Sequence, residues 1–251
     1  MIGAVVHHRD CLEGLAEMDT TSVDLVFADL PYGRTQQTWD KLVPMAPLWE
    51  QLKRVCKPKA PLVFTAVQPF TSLLVCSNLD WFRYEVIWRK NKSTGFLNAK
   101  KQPLRAHENV LVFYREQPDY EPQMTDGHEP GHAVKGRLSK TSLYGATPVP
   151  RSWGGSTKCY PTTVLEISVV NGDSKERIHA NQKPVELPAW FIKTYTKPGD
   201  LVLDPTAGSG STGVAAMTLG RRFIGFETDA KMVRRANEVS LTKSIGVEVV
   251  A

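Results

Sequence analysis

Short apolar runs that stop at a polar residue recur along the chain and predict the strands of an α/β sheet. Residues 25–28 are Leu-Val-Phe-Ala and stop at Asp29, and residues 201–203 are Leu-Val-Leu and stop at Asp204. Runs that are apolar throughout are typical of parallel strands that are buried on both faces. Because ligands bind at the carboxyl ends of such strands, both acidic residues are predicted to face a binding cleft.

Apolar periodicity places the other elements around these two strands. Further strands are predicted at residues 2–8, 62–66, 81–89, 108–115, 163–168 and 223–226, and helices at 12–18, 47–56, 71–78, 211–219 and 230–243, with another helix that ends near residue 195. The strands at 81–89 and 108–115 are expected to pair as the antiparallel edge of the sheet. The alternation of strands and helices predicts an α/β fold with a mostly parallel sheet.

Length and composition are those of an ordinary globular protein. The chain has 251 residues, of which 41% are hydrophobic and 23% are charged, so one domain with a sizeable insertion is expected. No apolar run approaches the roughly 18 residues of a membrane span and no signal-peptide core follows Met1, so a cytoplasmic protein is expected. The four cysteines show no Cys-x-x-Cys spacing, which argues against a metal site.

Positive charge is concentrated in one segment of the chain. The net charge is +5 and the isoelectric point is about 9.0. Residues 89–107 contain no Asp or Glu. Their basic residues include Lys90, Lys92, Lys100, Lys101 and Arg105. Such a segment favours contact with the phosphates of a nucleic acid, although a solvated loop would have the same composition.

Residues 116–160 lack sustained periodicity and are rich in Gly, Pro, Ser and Thr. An irregular stretch of this length is uncommon inside a compact domain unless it is functional or mobile. We interpret it as a target-recognition insertion, and disorder without nucleic acid is compatible with the same composition. The candidate DNA contacts here are Arg137, Lys140, Arg151 and Lys158, and Arg34 joins them from the loop that follows Tyr32.

The motif Asp29-Leu30-Pro31-Tyr32 follows the first of the two buried strands. A carboxylate can accept hydrogen bonds from an exocyclic amine while an adjacent tyrosine ring stacks on the base that carries the amine. The motif resembles the Asp/Asn/Ser-Pro-Pro-Tyr/Phe signature of the amino-methyltransferases of nucleic acids, with Leu30 in place of the first proline. The resemblance implies that these four residues form the catalytic loop.

A glycine-rich loop after the second buried strand strengthens this resemblance. Residues 204–212 are Asp-Pro-Thr-Ala-Gly-Ser-Gly-Ser-Thr, which is similar to the family's S-adenosylmethionine loop, usually Asp-Pro-Phe-x-Gly-Ser-Gly-Thr-Thr. The resemblance implies S-adenosylmethionine as the cofactor. The implied cofactor contacts are Asp10, Cys11, Lys183, Asp204, Pro205, Thr206, Gly208, Ser209, Gly210, Thr212 and Glu227. From the residues alone, Asp10 is equally suited to cap a helix and Lys183 to lie on the surface.

The catalytic strand precedes the cofactor loop by most of the chain, as in the circularly permuted beta class of DNA amino-methyltransferases. The resemblance therefore implies a Rossmann-like, S-adenosylmethionine-dependent methyltransferase fold with a seven-stranded, mostly parallel sheet. One domain, residues 1–251, is expected to contain a catalytic part at 1–115, the insertion at about 116–160 and a cofactor-binding part at about 161–251. The strand at 2–8 should then lie beside the strand at 223–226.

The implied reaction is methyl transfer to the N6 amine of adenine in double-stranded DNA, with the base flipped out of the helix. Within the family, Asp at the first motif position favours adenine over cytosine N4, and both bases remain alternatives, as do an RNA substrate and a DNA-binding protein without turnover. The glycine loop also matches the Gly-x-Gly-x-x-Gly pattern of dinucleotide sites, but a dehydrogenase has no use for the Asp29 motif. A role in restriction-modification is expected, and the oligomeric state is left open, including a homodimer.

Overall fold

A computed structural model of the chain describes residues 3–33, 41–127, 129, 134–135, 152–153, 157–170 and 182–241. The strands are β1 (Ala4–His8), β2 (Leu25–Ala28), β3 (Leu62–Ala66), β4 (Phe82–Thr94), β5 (Arg105–Phe113), β6 (Val134–Lys135), β7 (Ser152–Trp153), β8 (Val164–Glu166), β9 (Leu201–Asp204) and β10 (Arg222–Glu227). The helices are α1 (Cys11–Glu17), α2 (Met45–Val55), α3 (Phe70–Ser77), α4 (Glu186–Tyr195), α5 (Ser211–Thr218) and α6 (Ala230–Arg235). A 3₁₀ turn lies at Phe96–Asn98, and a π-helical segment, Ala236–Leu241, continues α6.

Among the described residues, eight strands form one sheet in the order β1-β10-β9-β2-β3-β5-β4-β8. Strands β1, β10, β9, β2 and β3 run parallel, and β5 pairs antiparallel with both β3 and β4. The predicted antiparallel edge is therefore confirmed. The expected seven strands are extended by β8, which pairs in parallel with β4. The chain that returns at Thr163 satisfies backbone groups of β4 that would otherwise form an open edge, since Ile87 N donates to Thr163 O at 2.7 Å.

The sheet is covered on both faces, which explains why β2 is apolar throughout. Val26 and Ala28 pack in the cluster that includes buried side chains of α1, α2 and α3. Leu25 and Phe27 pack in the opposite cluster, to which α4 and α5 contribute. All four side chains are almost completely inaccessible to solvent. A strand sandwiched in this way has no face left for a polar residue, so the first polar side chain, Asp29, comes where the strand leaves the sheet.

The sheet topology brings distant parts of the sequence together at its carboxyl edge. Strands β2 and β9 are neighbours, with Leu25 opposite Val202 and Val26 opposite Leu203. The loop that follows Ala28 and the loop that follows Asp204 therefore leave the sheet next to each other. On the other side of β9, His8 of β1 is paired with Glu227 of β10, as the permuted order predicts. Arg9 N also donates to Glu227 O at 3.0 Å.

A second compact unit comprises Pro122–Thr162. Its described residues include the antiparallel pair of β6 and β7, in which Val134 lies opposite Trp153, and a bridge between Thr125 and Cys159. The target-recognition role of this region stays a prediction. Within the described residues, no helix combines the length and the apolar character that a membrane crossing requires.

Candidate active site

The Asp29 carboxylate is the hub of a hydrogen-bonded cluster at the carboxyl end of β2. Its Oδ1 accepts a hydrogen bond from the Tyr32 hydroxyl at 2.6 Å and another from the Thr65 hydroxyl. The Lys183 Nζ lies 3.2 Å from the same oxygen. The Asp29 side chain is nevertheless 32% exposed to solvent, so a ligand can reach it. The carboxylate is thus oriented by donors from three segments while one side stays open.

The rest of the catalytic motif is anchored by packing. Leu30, which replaces the family's first proline, is only 2% exposed and lies in the cluster shared with α1, α2 and α3. Burial of this side chain gives the loop a fixed point that a proline would supply through its ring. The Tyr32 ring packs against Phe70 with 5.2 Å between centroids. Burial, followed by the nearby Asp29 charge, raises the pKa of Tyr32 well above its usual range, so its hydroxyl remains a donor.

A buried network of two lysines and one glutamate extends from Asp29. Lys183 Nζ donates to Glu108 Oε2 at 2.8 Å, and Lys90 Nζ donates to Glu108 Oε1. All three side chains are at least 88% buried. Both ammonium groups also lie near the Trp88 ring, with Lys90 Nζ 5.1 Å and Lys183 Nζ 5.7 Å from its centroid. The aromatic ring adds a favourable cation–π contribution to a site from which water is excluded.

The surrounding charges keep Glu108 and Lys183 ionised. Burial by itself opposes the charge on Glu108, but Lys183 and Lys90 outweigh it and lower the pKa of the carboxyl group below its usual range. Burial likewise opposes the charge on Lys183, but Asp29 and Glu108 raise the pKa of the ammonium well above its usual range. The network therefore carries two positive charges and, with Asp29 included, two negative ones.

The network contradicts the DNA contact predicted for Lys90, while the cofactor contact predicted for Lys183 stays a prediction. Lys90 was expected to contact DNA, yet it is buried and paired with Glu108, because β4 continues past Arg89 and keeps Lys90 on the same face as Trp88. Lys183 was expected to meet the cofactor, and the structure places it between Asp29 and Glu108. Glu108 and Thr65 were not identified from the sequence. An acidic residue at the start of the predicted strand 108–115, near the sheet edge that carries Asp29, was the available signal.

The glycine-rich loop after β9 is closed on itself by Asp204. Thr206 N donates to Asp204 Oδ1 at 3.0 Å, and the Thr212 hydroxyl donates to Oδ2 at 2.6 Å. The resemblance implied a direct contact between Asp204 and the cofactor. In the structure the carboxyl group is buried and both of its oxygens are used within the loop. Burial is the main cause that raises the pKa of Asp204 from 3.8 to about 7.

The same loop is fitted closely against β10. Gly210 has φ of 80° where the chain turns into α5, a conformation that glycine adopts without strain. A Cβ at Gly225 would lie 2.7 Å from the Ala207 Cβ, so the loop can approach β10 only because this position is glycine. Pro205, Ser209 and Thr212 are buried, whereas Thr206 and Gly208 remain half-buried at the loop surface.

Glu227 ends β10 directly beside the loop. Its Oε2 accepts from Gly208 N at 3.0 Å, and its Oε1 accepts from Asp229 N at 2.8 Å. Because each carboxylate oxygen can accept more than one hydrogen bond, Glu227 retains capacity for a ligand. Asp10, one strand further along, caps α1 by accepting from Leu12 N at 2.8 Å. Cys11 follows it as a buried thiol, and burial raises its pKa to about 11.

The catalytic motif and the glycine loop are joined by a direct hydrogen bond. The Thr206 hydroxyl donates to the backbone carbonyl of Asp29 at 3.1 Å. Thr206 is the residue that stands in place of the family's phenylalanine, and a phenylalanine could not make this bond. The threonine at residue 206 therefore fixes the catalytic loop relative to the glycine loop. The sequence did not predict this hydrogen bond.

The other predicted DNA contacts fall into two groups. Lys92, Lys100, Lys101 and Arg105 are exposed on the hairpin that joins β4 and β5. Lys158 is also exposed and lies 3.8 Å from Asp126. Arg34, Arg137, Lys140 and Arg151 lie outside the described residues.

Comparison with known proteins assigns this arrangement to a family. The family model of DNA methylases matches residues 23–238. The chain belongs to the N6/N4 DNA methylase family. It is therefore a member of a family of S-adenosylmethionine-dependent DNA methyltransferases, and the resemblance inferred from the two motifs is confirmed.

Individual proteins are similar to this chain in sequence or in fold. The type II methyltransferase M1.MboII of Moraxella bovis is 26% identical over 253 residues, which cover 93% of this chain and 95% of the relative. The cytosine-N4-specific PvuII DNA methyltransferase has a TM-score of 0.67 at 17% identity and aligns over 97% of this chain and 90% of its own. The M1.HpyAVI complex with S-adenosylmethionine has a TM-score of 0.60 at 20% identity and aligns over 94% of this chain and 98% of its own. The predicted methyltransferase fold is confirmed.

The raised pKa of Asp204 gives this DNA methylase a specific pH dependence. In the unfolded chain the carboxyl group ionises near 3.8, while the folded loop holds its proton up to about 7. The folded state then binds more protons between these values, so the free energy of unfolding should fall as pH rises through that window, by a few kcal/mol at most. In Asp204→Asn this decrease should be absent, because the uncharged amide can accept from Thr206 N through its oxygen and donate to the Thr212 hydroxyl through its nitrogen. Urea unfolding of both proteins without cofactor at pH 5 and pH 8 measures the difference, and parallel changes would contradict the assignment.

Proposed function

We propose that the protein methylates the N6 amine of adenine in double-stranded DNA. The observation that carries this proposal is the half-exposed Asp29 carboxylate, which is held by Tyr32 and Thr65 and linked through its own backbone carbonyl to the glycine loop. An acceptor that is fixed next to a cofactor loop suits an amine whose hydrogens must be held during transfer. Asp at the first motif position supports adenine as the base.

The residues of the chain can prepare the amine for attack. Its lone pair is delocalised into the ring, so the nitrogen becomes nucleophilic only when its hydrogens are held out of the ring plane. Asp29 would accept one N–H and the Leu30 carbonyl the other, which directs the nitrogen towards the methyl donor. Tyr32 would stack on the base, which must leave the duplex at a cost of a few kcal/mol. Fixing this geometry before the reaction supplies much of the catalysis.

Lys183 must move or share its position when the base binds. Its Nζ lies 3.2 Å from Asp29 Oδ1 and 5.8 Å from the centroid of the Tyr32 ring, which is the region that the base needs. Glu108 already pairs with the same ammonium at 2.8 Å. Lys183 can therefore lose its contact with Asp29 and still have a negatively charged partner. The released Asp29 oxygen then becomes an acceptor for the amine.

The loop after β9 has the features that S-adenosylmethionine requires. Among the described residues, a Cβ added at Gly208 would have only Thr206 O within 4 Å, at 3.9 Å, so this part of the structure leaves room for a ligand next to the loop. Glu227 is positioned to accept hydrogen bonds from the ribose, while Asp10, at the end of the neighbouring strand, would lie near the adenine. When bound, the cofactor supplies an electrophilic methyl group on a sulfonium. Asp204 would act indirectly, by holding the loop that surrounds the amino acid end.

Cytosine N4 is the second candidate, because the PvuII enzyme with the same fold is cytosine-N4-specific. The chemistry of the amine is the same in both bases, so Asp29 and Tyr32 would have the same roles. A DNA-binding protein without turnover is the third candidate. The buried network around Lys183 does not favour it.

Expression in a bacterial host without DNA methyltransferases of its own tests the proposal. Genomic DNA is digested to nucleosides, and the modified nucleoside is identified by mass. The modified positions are mapped by long-read sequencing. N6-methyladenine at one short recurrent sequence is expected, and N4-methylcytosine would change the base while keeping the mechanism. Unmodified DNA from a host that contains folded, cofactor-binding protein would contradict both versions.

A further inference from the structure

The hairpin between β4 and β5 projects from the edge of the sheet that carries Asp29. Ala66, at the carboxyl end of β3, is paired with Asn109 of β5, and the hairpin continues to the pair Thr94–Arg105. From Asn109 to Arg105 the strand extends about 13 Å at the usual rise of about 3.3 Å per residue. The tip lies beyond that point. This reach exceeds the depth of the DNA major groove, which is about 8.5 Å.

The tip of this hairpin presents two large apolar side chains to solvent. Phe96 is 81% exposed and Leu97 is 98% exposed, the highest values among the large apolar residues that the structure describes. The turn is well formed, since Asn98 N donates to Gly95 O at 2.9 Å and Ala99 N to Phe96 O at 3.0 Å. Gly95 begins it with φ of 93°. The two side chains are therefore held in an exposed position by a regular 3₁₀ turn and not by an irregular loop.

The surroundings of the tip indicate what it contacts. Lys92, Lys100, Lys101 and Arg105 are exposed on the same hairpin, and residues 89–107 contain no acidic residue. Exposed apolar side chains on a hairpin that also carries exposed cations match a polyanion whose interior is apolar. Duplex DNA has this construction, with phosphates outside and stacked bases inside, and proteins that distort it insert Phe or Leu between base steps.

We infer that Phe96 and Leu97 form a wedge that enters the duplex beside the target base and stabilises its extruded state. This inference rests on the proposed duplex-DNA substrate. Extrusion leaves a gap in the stack and costs a few kcal/mol, and an apolar wedge lowers that cost by restoring contact with the bases that remain. The cations would position the hairpin on the backbone, while the wedge acts only when the target base has to be unpaired.

Single-turnover methylation of two duplexes tests the wedge. One duplex carries the fully paired target sequence found by sequencing, and the other has an abasic position opposite the target base, which is then already unpaired. The double variant Phe96→Ala/Leu97→Ala should slow methylation of the paired duplex by about tenfold or more, and of the abasic duplex by less than about threefold. Leu79→Ala, which truncates another exposed leucine far from this turn in the sequence, should change neither rate.

Two other results would overturn the inference. Equal losses on both duplexes would assign the tip to general DNA affinity instead of base extrusion. Unchanged rates on both, with binding of the wild type but not of the double variant to vesicles that contain anionic lipid, would assign the tip to a membrane surface.

A third variant reports on insertion without methyl transfer. The additional tryptophan emission of Phe96→Trp, measured against the wild type, should be quenched when duplex DNA is added, because an inserted indole stacks on bases. Quenching in a protein that transfers no methyl group would refute the proposed reaction and keep the wedge. If the protein transfers methyl groups but shows neither quenching nor the tenfold effect, the wedge is refuted and the proposed reaction is kept.

Discussion

Asp29→Ala is expected to lower the rate of methyl transfer by about 10³-fold or more, since the residue would hold and orient the reacting amine. Cofactor affinity should remain within about threefold, because Asp29 contacts the glycine loop through its backbone carbonyl, which the substitution keeps. The fold should also survive. Tyr32 can still donate to Thr65, which lies 3.2 Å from its hydroxyl, and Lys183 keeps Glu108. Radiolabelled transfer to DNA and calorimetric titration with S-adenosylmethionine measure the two quantities.

Asp29→Asn is the matched control for this experiment. It keeps an acceptor of the same size but removes the charge, so an intermediate loss of about 10- to 100-fold is expected. Because Asn occurs at this position in the family signature, a fully inactive Asn variant would mean that the charge matters more than the acceptor. Loss of cofactor binding together with transfer in Asp29→Ala would contradict the separation of the two roles.

The parts of the fold that could be predicted are those in which burial dictates sequence. Strand β2 has helices on both faces, so all four of its positions must be apolar, and its end is marked by the first charge, Asp29. Strand β9 gives the same signal and stops at Asp204. These two strands are neighbours in the sheet although they are distant in sequence. Periodicity does not contain that pairing, and the resemblance implied only that the strand at 2–8 lies beside the strand at 223–226, which the structure also shows.

The ion-pair network could not be predicted because its members come from distant positions. Lys183 and Glu108 are 75 residues apart, and no local pattern links them. Lys90 illustrates how a small boundary error changes a function. With a strand that ends at Arg89, Lys90 reads as a loop residue. In the structure β4 runs to Thr94, and alternation then puts Lys90 on the inward face with Trp88.

The glycine loop shows a similar limit. The sequence located it correctly but predicted a direct role for Asp204 that its burial does not support. In the sequence, Thr206 differs from the family's phenylalanine without any sign of what the difference does. The hydrogen bond from Thr206 to the Asp29 carbonyl gives that difference a structural consequence, since it fixes the two loops relative to each other. Such a consequence depends on a three-dimensional distance that neither motif contains.

Glu108→Gln is expected to destabilise the protein by about 3–5 kcal/mol at pH 7, because it leaves Lys90 and Lys183 buried with only Asp29 as a charged partner. Glu166→Gln is the matched control, since Glu166 of β8 pairs at 2.9 Å with Arg89 of β4, next to Lys90, but both side chains are more than 60% exposed. That surface pair should contribute at most about 1 kcal/mol. Urea unfolding of the three proteins gives the comparison.

The pH dependence of the Glu108→Gln effect separates a charge effect from a packing effect. The folded protein holds the pKa of Glu108 below its ordinary value of 4.5, so the stabilisation that its charge provides is fully present above pH 4.5. It is lost as pH falls towards the lowered pKa, because protonation then removes the same charge that the variant lacks. The difference between wild type and Glu108→Gln should therefore shrink as the pH is lowered below 4.5. A constant difference would mean that the shape of the side chain, and not its charge, holds Lys183 next to Asp29.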